Sequence, residues 1–309
     1  MTTDQTIPKV SVILPVGNRE AYLAEALESI LAQTLADFEL LVVLDGVPAP
    51  VQAIVEAYQD PRIQLIRLPV NLGISAARNA GIAVARAPYI AYMDSDDVAL
   101  AQRLATQHAW LEAHPEVTVC ASNWIKWFAN GQRTGTRYPE TDGMIKARLL
   151  LVDSAIHNPT VMVRSEFLRR HALRFDPNYS RDQSHRLYVE VTRRGGSFYC
   201  LQEELLLYRR HPENVTADKS GVDFEKTRVR EVLLPMYFPG LDGAEGRLLL
   251  KGMCQNVEMG LDEICRFVSV AGKAMNETRS FFGEDRRELQ RMLHVFRNRA
   301  LGSLRAVPK

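Results

Sequence analysis

Short apolar runs alternate with stretches of helical periodicity through the first third of the chain. The runs are continuous, as in strands buried on both faces, and Pro15, Asp45 and Asp94 close three of them. Between the runs, apolar residues recur every three or four positions, as on the buried face of a helix. Strands are expected at residues 10–14, 38–44, 63–68 and 89–93, and helices at 22–31, 51–58 and 75–85. This alternation predicts a parallel sheet with right-handed crossovers and helices on its faces.

The fourth apolar run ends in an acidic cluster. After Tyr92 and Met93 come Asp94, Asp96 and Asp97, with Ser95 between the first two. Carboxylates placed together repel one another, and burying them without compensation is costly. Hard divalent ions such as Mg²⁺ bind a few carboxylates together with phosphate oxygens. The cluster therefore indicates a cation site at a strand end, and the alternative is a solvated acidic turn that caps the next helix.

Other polar residues are expected at the same edge of the sheet. Pro15 and Asp45 follow the first two strands, and ligands of open α/β sheets bind at the carboxyl ends of strands. Arg78 lies just inside a helix that follows a strand end, where a guanidinium could pair with phosphate. The chain has neither G-x-G-x-x-G after its first strand nor G-x-x-x-x-G-K-[ST]. These features favour a nucleotide-diphosphate site and argue against a dehydrogenase or a P-loop ATPase.

Five motifs carry a family resemblance. They are Val-Ser-Val-Ile-Leu-Pro-x-x-Asn, Ser-Ile-Leu-Ala-Gln-Thr, Phe-Glu-Leu-Leu-Val-Val-x-Asp-Gly, Asn-Leu-Gly-Ile-Ser-Ala-Ala-Arg-Asn-Ala-Gly-Ile and Tyr-Ile-Ala-Tyr-Met-Asp-Ser-Asp-Asp. In order and spacing, residues 10–97 resemble the nucleotide-binding half of family 2 glycosyltransferases of the GT-A fold. The resemblance implies an α/β, Rossmann-like, mixed and mostly parallel sheet flanked by helices, and the pattern of the remaining residues predicts a C-terminal helical extension.

The same resemblance implies roles for individual residues. The nucleotide would lie against Pro15, Asn18, Asp45, Arg78, Asp94 and Ser95, and a divalent metal (Mn or Mg) would bind Asp96 and Asp97. Two positions depart from the family pattern. Gly17 stands where an aromatic residue is usual, and Leu44 stands where a second Asp is usual. Both departures concern how the base is held.

Residues 99–219 are expected to form the acceptor half. Residues 100–114 predict a helix, and residues 117–128 with the Asn130-Gly131 turn predict a hairpin. Trp124 could stack on a sugar or belong to the core. Residues 156–164 resemble a family strand that ends in Arg, and His157 at its start is a candidate ligand contact.

The family's catalytic Glu-Asp pair falls here on Gln183-Ser184. A serine hydroxyl cannot act as a base at neutral pH, so Asp182 or His185 could take that role, or the base could be absent. Residues 203–211 resemble the closing strand of the family, whose tail folds over the diphosphate. The resemblance gives Arg209 and Arg210 a phosphate or acceptor contact and His211 a metal contact.

Residues 220–309 read as helices to which the resemblance does not extend. Beyond Arg286, basic residues far outnumber acids and apolar residues are interleaved with them. Such a helix could lie on an anionic membrane surface or pack on the catalytic domain or on a second subunit. We therefore expect a glycosyltransferase domain at 1–219, with halves 8–98 and 99–219, and a helical extension at 220–309.

Composition narrows the function classes. The chain has 309 residues, with 46% hydrophobic and 24% charged residues, and its net charge of +1 gives no bias toward nucleic acid. The four cysteines lack metal-type spacing, and residues 1–9 lack an apolar signal core. We expect a cytoplasmic protein, or one peripheral at the inner face of the membrane.

The expected reaction is metal-assisted, inverting transfer of a sugar from a nucleotide-diphosphate donor to a hydroxyl of a glycan, lipid-linked or protein-linked acceptor. UDP is the expected nucleotide. A catalytically degenerate nucleotide-sugar-binding protein is the alternative that Gln183-Ser184 favours. A nucleotidyltransferase usually needs a glycine-rich basic loop after its first strand, and residues 16–19 match that loop poorly.

Overall fold

The computed structural model describes residues 7–18, 21–151, 155–179, 182–211, 228–253, 259–277 and 286–305. The chain forms two compact units. The first contains Met1–Glu140 with Ile156–Lys219, and the second contains Thr141–Ala155 with Ser220–Lys309.

The first unit is built on one mixed sheet. Its strands are β1 (Val10–Val16), β2 (Phe38–Asp45), β3 (Ile63–Leu68), β4 (Tyr89–Tyr92), β5 (Val98–Ala99), β6 (Val119–Phe128), β7 (Arg133–Gly135), β8 (Met162–Arg164) and β9 (Phe198–Arg210). Its helices are α1 (Leu23–Leu31), α2 (Ala49–Glu56), α3 (Ile74–Val84), α4 (Arg103–Ala113), α6 (Ser165–Arg170) and α7 (Gln183–Arg193). The second unit contains α5 (Asp142–Leu151), α8 (Leu234–Tyr237), α9 (Gly243–Met253), α10 (Leu261–Asn276) and α11 (Arg286–Arg305).

The strand order in the sheet is β3-β2-β1-β4-β8-β6-β9-β5, and β7 pairs with β6. The pairs of β1 with β2 and β4, of β2 with β3 and of β6 with β9 are parallel. Strand β8 runs antiparallel to both β4 and β6, and it therefore joins the two parallel halves. The prediction of a mixed, mostly parallel sheet is confirmed.

The core explains why the first strands are continuous apolar runs. Every residue of β1 and β2 is buried, because helices or neighbouring segments cover both faces of these strands. Leu14 and Leu40 pack in one cluster with Leu27 of α1 and Met93. The core therefore extends to the carboxyl end of β4, directly below the acidic residues.

The predicted strands and helices of residues 10–92 are confirmed, with ends that shift by a few residues. The predicted hairpin is β6 and β7, and its Gly131 has the positive φ of +83° that favours glycine. Of the strand predicted over 156–164, only the end is confirmed, since β8 ends in Arg164 directly before α6. Asn158–Thr160 forms a 3-10 turn before β8, because Pro159 has no N–H to give to a sheet ladder.

The second unit is helical. Its helix α5 is not among the predicted helices. Residues 141–155 belong to this unit, whereas the sequence predicts them in the acceptor half. Leu289 and Leu293 of α11 are buried, as are Phe267 and Val270 of α10. Within the stretch 220–309 that is predicted to be helical, residues 220–227, 254–258, 278–285 and 306–309 lie outside the described residues, and Cys254 is among them. Among the described helices, none combines the length and the apolar character that crossing a membrane requires.

Candidate functional site

Asp45 holds the loop that leads into α3. Its carboxylate accepts hydrogen bonds from the amides of Leu72 at 2.7 Å and Gly73 at 2.9 Å. The next residue, Gly46, has a φ of +59°, and a Cβ there would lie 2.1 Å from the amide nitrogen of Asn71. Only glycine therefore allows the two loops to approach so closely. The carboxylate of Asp45, for which a nucleotide contact is predicted, therefore also holds the loop before α3 in place.

Arg78 of α3 connects the acidic turn after β4 with the first turn of α7. Its Nη2 lies 2.8 Å from Oδ1 of Asp94, and Nη1 donates a long hydrogen bond of 3.5 Å to the hydroxyl of Ser184. The guanidinium also lies 5.2 Å from the ring centroid of Phe175. The side chain of Arg78 is 4% exposed and that of Asp94 is 26% exposed. A buried cation is thus paired with a carboxylate that solvent can still reach.

Asp96 and Asp97 take different positions in the acidic turn. Oδ2 of Asp96 lies 3.1 Å from Nε2 of His211. Asp97 is only 1% exposed, and its Oδ1 accepts a hydrogen bond of 3.0 Å from the amide of Arg209. Its Oδ2 accepts no hydrogen bond from the residues that the structure describes. Burial raises the pKa of Asp97 well above its usual range, and the nearby charges of Asp96 and Asp94 add to this effect.

Arg209 locks the end of β9 to the acidic turn. Its guanidinium carbon lies 4.3 Å from the ring centroid of Tyr22 and 4.2 Å from that of Trp127. Its Nε donates to the carbonyl of Asp96 at 3.1 Å, and Nη2 donates to the carboxylate of Glu25. The guanidinium is therefore held between two aromatic rings. Its contact with phosphate or acceptor stays a prediction.

The neighbour of Arg209 points elsewhere. The guanidinium of Arg210 lies 5.9 Å from the ring centroid of Tyr208. The phosphate or acceptor contact of Arg210 stays a prediction.

The candidate bases share the first turn of α7. Asp182 is the N-cap residue of this helix, and Asp182, Gln183 and His185 are buried, whereas Ser184 is half-buried. The hydroxyl of Tyr188 donates to Oδ1 of Asn158 at 2.6 Å and ties α7 to the turn before β8. Because Ser184 accepts the bond from Arg78, this helix start adjoins the nucleotide side of the site.

His157 and Trp124 belong to an aromatic cluster. Their rings stack with centroids 4.5 Å apart, and the ring of Tyr208 meets His157 edge-on at 4.7 Å. Burial lowers the pKa of His157 to about 4, against the opposing effect of Asp94, so its imidazole is neutral at pH 7. Trp124 is buried, and its ring stacks on that of His157. Its predicted contact with an acceptor stays a prediction.

Three further predicted nucleotide contacts, Pro15, Asn18 and Ser95, differ in how far they are buried. Pro15 is buried in β1 opposite Val43 of β2. Asn18 is exposed just after β1, and Ser95 is half-buried in the acidic turn.

Sequence reasoning missed Arg103 and Gln107 of α4. Both side chains are fully buried, and the guanidinium of Arg103 donates to the carbonyl of Tyr92 at 2.8 Å. The available signal was their spacing of four residues on the same face as Leu104 and Leu111, which places polar groups on the buried side of the helix.

Within the described part of the chain, no group of three or more His, Cys, Asp or Glu side chains converges as a metal site would require. Two potential ligands do meet in the acidic turn, where Oδ2 of Asp96 lies 3.1 Å from Nε2 of His211. A carboxylate oxygen and an imidazole nitrogen suit Mn²⁺, whose remaining ligands could be diphosphate oxygens and water.

Comparison with known proteins agrees with this geometry. Residues 11–173 match the model of glycosyl transferase family 2. An uncharacterized glycosyltransferase of Methanocaldococcus jannaschii is 33% identical over 216 residues, which cover 68% of this chain and 73% of the relative. S. aureus TarS 1–349, solved in complex with UDP, superposes with a TM-score of 0.60 at 19% identity, over 96% of this chain and 89% of that one. The mannosyltransferase PcManGT from Pyrobaculum calidifontis, solved with GDP-Man and Mn²⁺, gives a TM-score of 0.51 at 15% identity, over 98% and 76% of the two chains.

Proposed function

The chain belongs to glycosyl transferase family 2, and from this premise we propose that it transfers a sugar from a UDP-linked donor to a hydroxyl acceptor with inversion. It is a glycosyltransferase with the GT-A fold, and nucleotide-sugar glycosyl transfer is the activity of that family. The observation that carries the finer proposal is the acidic turn after β4. Its Asp94 pairs with Arg78, and its Asp96 meets His211 from the end of β9.

Arg78 is the residue that we assign to the donor. Its guanidinium is almost fully buried and already balanced by Asp94, so it is held in one orientation before any ligand binds. A fixed, planar cation is well suited to phosphate oxygens. The loop held by Asp45 brings the amino end of α3, which carries Arg78, to the same edge of the sheet. UDP is the nucleotide we favour, and the UDP complex of TarS supports this choice.

A divalent metal fits the same turn. Asp96 and His211 would hold it, together with diphosphate oxygens and water. When bound, the metal supplies positive charge that neutralises the charge developing on the leaving diphosphate. The neighbour solved with GDP-Man and Mn²⁺ supports this assignment. Asp97, which is buried and bonded to the amide of Arg209, would support the turn from below.

Asp182 is our candidate for the general base. It is the N-cap of α7 and lies two residues before Ser184, whose hydroxyl contacts Arg78. A carboxylate there would accept the proton of the acceptor hydroxyl as that oxygen attacks the anomeric carbon from the face opposite the diphosphate. Such an attack inverts the configuration. His185, one residue beyond Ser184 and also buried, is the second candidate.

The acceptor would be a hydroxyl of a glycan, a lipid-linked or a protein-linked molecule. A basic helix such as α11 could bring the enzyme to an anionic membrane or to a second subunit. Its Leu289 and Leu293 are buried inside the second unit, so only its outer, arginine-bearing face is left for such a contact. Peripheral membrane contact and oligomerisation therefore remain predictions about that face.

The experiment that tests this function is a donor panel followed by product analysis. UDP-, GDP- and dTDP-sugars are incubated with the protein, Mn²⁺ and hydroxyl acceptors, and nucleotide release is measured. We expect acceptor-dependent release of UDP and a product whose anomeric configuration, read by NMR, is opposite to that of the donor. Retention would contradict the inverting mechanism. Tight UDP binding without transfer to any acceptor would instead favour a binding protein that has lost its base.

A further inference from the structure

Arg103 is a fully buried arginine directly beneath the acidic turn. It begins α4, and its side chain is 0% exposed. Its Nη2 donates to the carbonyl of Tyr92 at 2.8 Å, and its Nη1 lies 3.4 Å from the sulfur of Met93. Tyr92 is the last residue of β4, and Met93 is the residue before Asp94. The guanidinium therefore supports the point where the strand becomes the acidic turn.

Gln107 extends this support to two more segments. One turn further along α4, its Oε1 accepts a hydrogen bond of 3.2 Å from Nε of Arg103. Its amide nitrogen donates to the carbonyl of Thr160 at 2.8 Å and to that of Cys120 at 3.1 Å. Helix α4 thus ties the end of β4 to the turn before β8 and to β6. A buried network in which each polar group has a partner fixes one arrangement of the backbone.

Arg103 is charged although its side chain is fully buried. A cation taken fully out of water is costly unless an opposite charge lies close by. Burial lowers the pKa of Arg103 to about 10, and the charges of Asp97 and Asp94 act against that decrease. Arg103 is therefore a cation at neutral pH. Asp97 is buried beside it, accepts only the amide of Arg209 through Oδ1, and has no other hydrogen-bond partner for Oδ2 among the described residues.

We propose that Arg103 is a positioning residue for the donor site, because it fixes the backbone from which Asp94 and Asp96 project. This inference rests on the proposed function, since it concerns the same diphosphate site. Without Arg103, the carbonyl of Tyr92 loses the hydrogen bond from the guanidinium, and the sulfur of Met93 loses its contact. The acidic turn would then relax, and the carboxylates would no longer be held in the geometry that binds metal and diphosphate.

Arg164 offers a matched control. It is likewise an arginine that supports main-chain carbonyls, because it donates to Val117 and Leu111 at 2.7 Å and to His114 at 3.0 Å. It pairs with Tyr89, the first residue of β4, and so lies at the end of the strand opposite the acidic turn. Loss of Arg164 removes a comparable set of hydrogen bonds without touching the acidic residues.

The test compares Arg103→Met with Arg164→Met in the full chain. The affinity for UDP is measured by calorimetry at saturating Mn²⁺, and the midpoint of thermal unfolding is measured for each variant. We expect both variants to unfold at a lower temperature, but only Arg103→Met to lose UDP affinity, by about tenfold or more, as for the loss of other residues that orient metal ligands. Equal affinity of Arg103→Met and wild type would overturn the inference, and so would an equal loss of affinity in the two variants.

Should Arg103→Met fail to fold, Arg103→Lys, which keeps the charge, replaces it in the same comparison. Failure of the wild type to bind UDP at all would contradict the proposed function itself, and the wild-type titration therefore distinguishes the two failures.

Discussion

Nε2 of His211 lies 3.1 Å from Oδ2 of Asp96, although 115 residues separate them in the chain. The contact exists because β9 runs parallel to β6 and ends beside the acidic turn, where Arg209 is clamped between Tyr22 and Trp127. The imidazole of His211 also lies 5.3 Å from the ring of Tyr22. The end of β9 is thereby held against the acidic turn.

His211→Ala should weaken the Mn²⁺-supported binding of UDP by roughly tenfold or more, because it removes a nitrogen ligand next to Asp96. Calorimetric titrations with UDP, with and without Mn²⁺, measure the effect. His114→Ala is the control, since His114 stacks on Trp110 and its carbonyl contacts Arg164 at the other end of β4. Identical Mn²⁺ dependence in His211→Ala and wild type would show that the imidazole does not serve the metal.

Arg78→Met should reduce UDP affinity strongly and destabilise the fold, because it leaves the carboxylate of Asp94 without its partner. Arg78→Lys keeps the charge and should restore part of the affinity, though not the planar contact with phosphate. Arg170→Met is the control, because the ion pair of Arg170 with Glu166 is exposed and contributes about 1 kcal/mol or less. Our assignment of Arg78 to the donor would fail if the affinity losses of Arg78→Met and Arg170→Met were alike.

The acidic turn could be predicted from the sequence because its signals are local. A strand-length apolar run followed by Asp94, Asp96 and Asp97 indicates a strand end, and parallel strands bring their carboxyl ends to one edge. Sequence alone could not separate the tasks of the three acids. Only the register of β9 shows that Asp97 points toward the amide of Arg209 while Asp96 meets His211.

The supporting residues were hidden for a different reason. Arginine and glutamine are residue types that mostly lie on protein surfaces, so their presence in α4 does not by itself indicate that Arg103 and Gln107 are buried. Both buried side chains donate hydrogen bonds to main-chain carbonyls, those of Tyr92, Thr160 and Cys120. Such partners come from segments distant in sequence, so periodicity in α4 gives only a weak signal of them. The 3-10 turn at Asn158–Thr160 interrupts an apolar pattern of strand length, because Pro159 has no N–H to donate to a sheet ladder.

Asp182→Asn should lower turnover by a factor on the order of 10²–10⁴, as expected for the loss of a general base. The affinity for UDP should barely change, because Asp182 is assigned to the acceptor side of the site. Single-turnover and steady-state measurements with the donor identified by the panel give both quantities. Ser184→Asp, which restores the residue usual in the family, should recover part of the rate in the Asp182→Asn background. Wild-type turnover in Asp182→Asn would exclude this carboxylate and make His185 the next residue to test.

His157 should make the protein sensitive to acid. Burial lowers its pKa from the usual 6.5 to about 4, so the unfolded chain binds a proton at a pH where the folded protein does not. This contribution to the free energy of unfolding is fully present above pH 6.5 and is lost as the pH falls from 6.5 to about 4. Urea unfolding of wild type and His157→Phe at pH 7.5 and 4.5 measures it. The variant should lose less stability than wild type over that interval, and an equal loss would refute the role of His157.

The most direct test of the central claim is a calorimetric titration with UDP of wild type and Asp96→Asn, each in Mn²⁺ and in excess chelator. We predict that wild type binds UDP much more tightly with Mn²⁺ than with chelator. Asp96→Asn should bind weakly in both conditions while retaining the circular dichroism spectrum of the wild type. Equal UDP affinity of the wild type in Mn²⁺ and in chelator would contradict the account, because the acidic turn would then not bind the diphosphate through a metal.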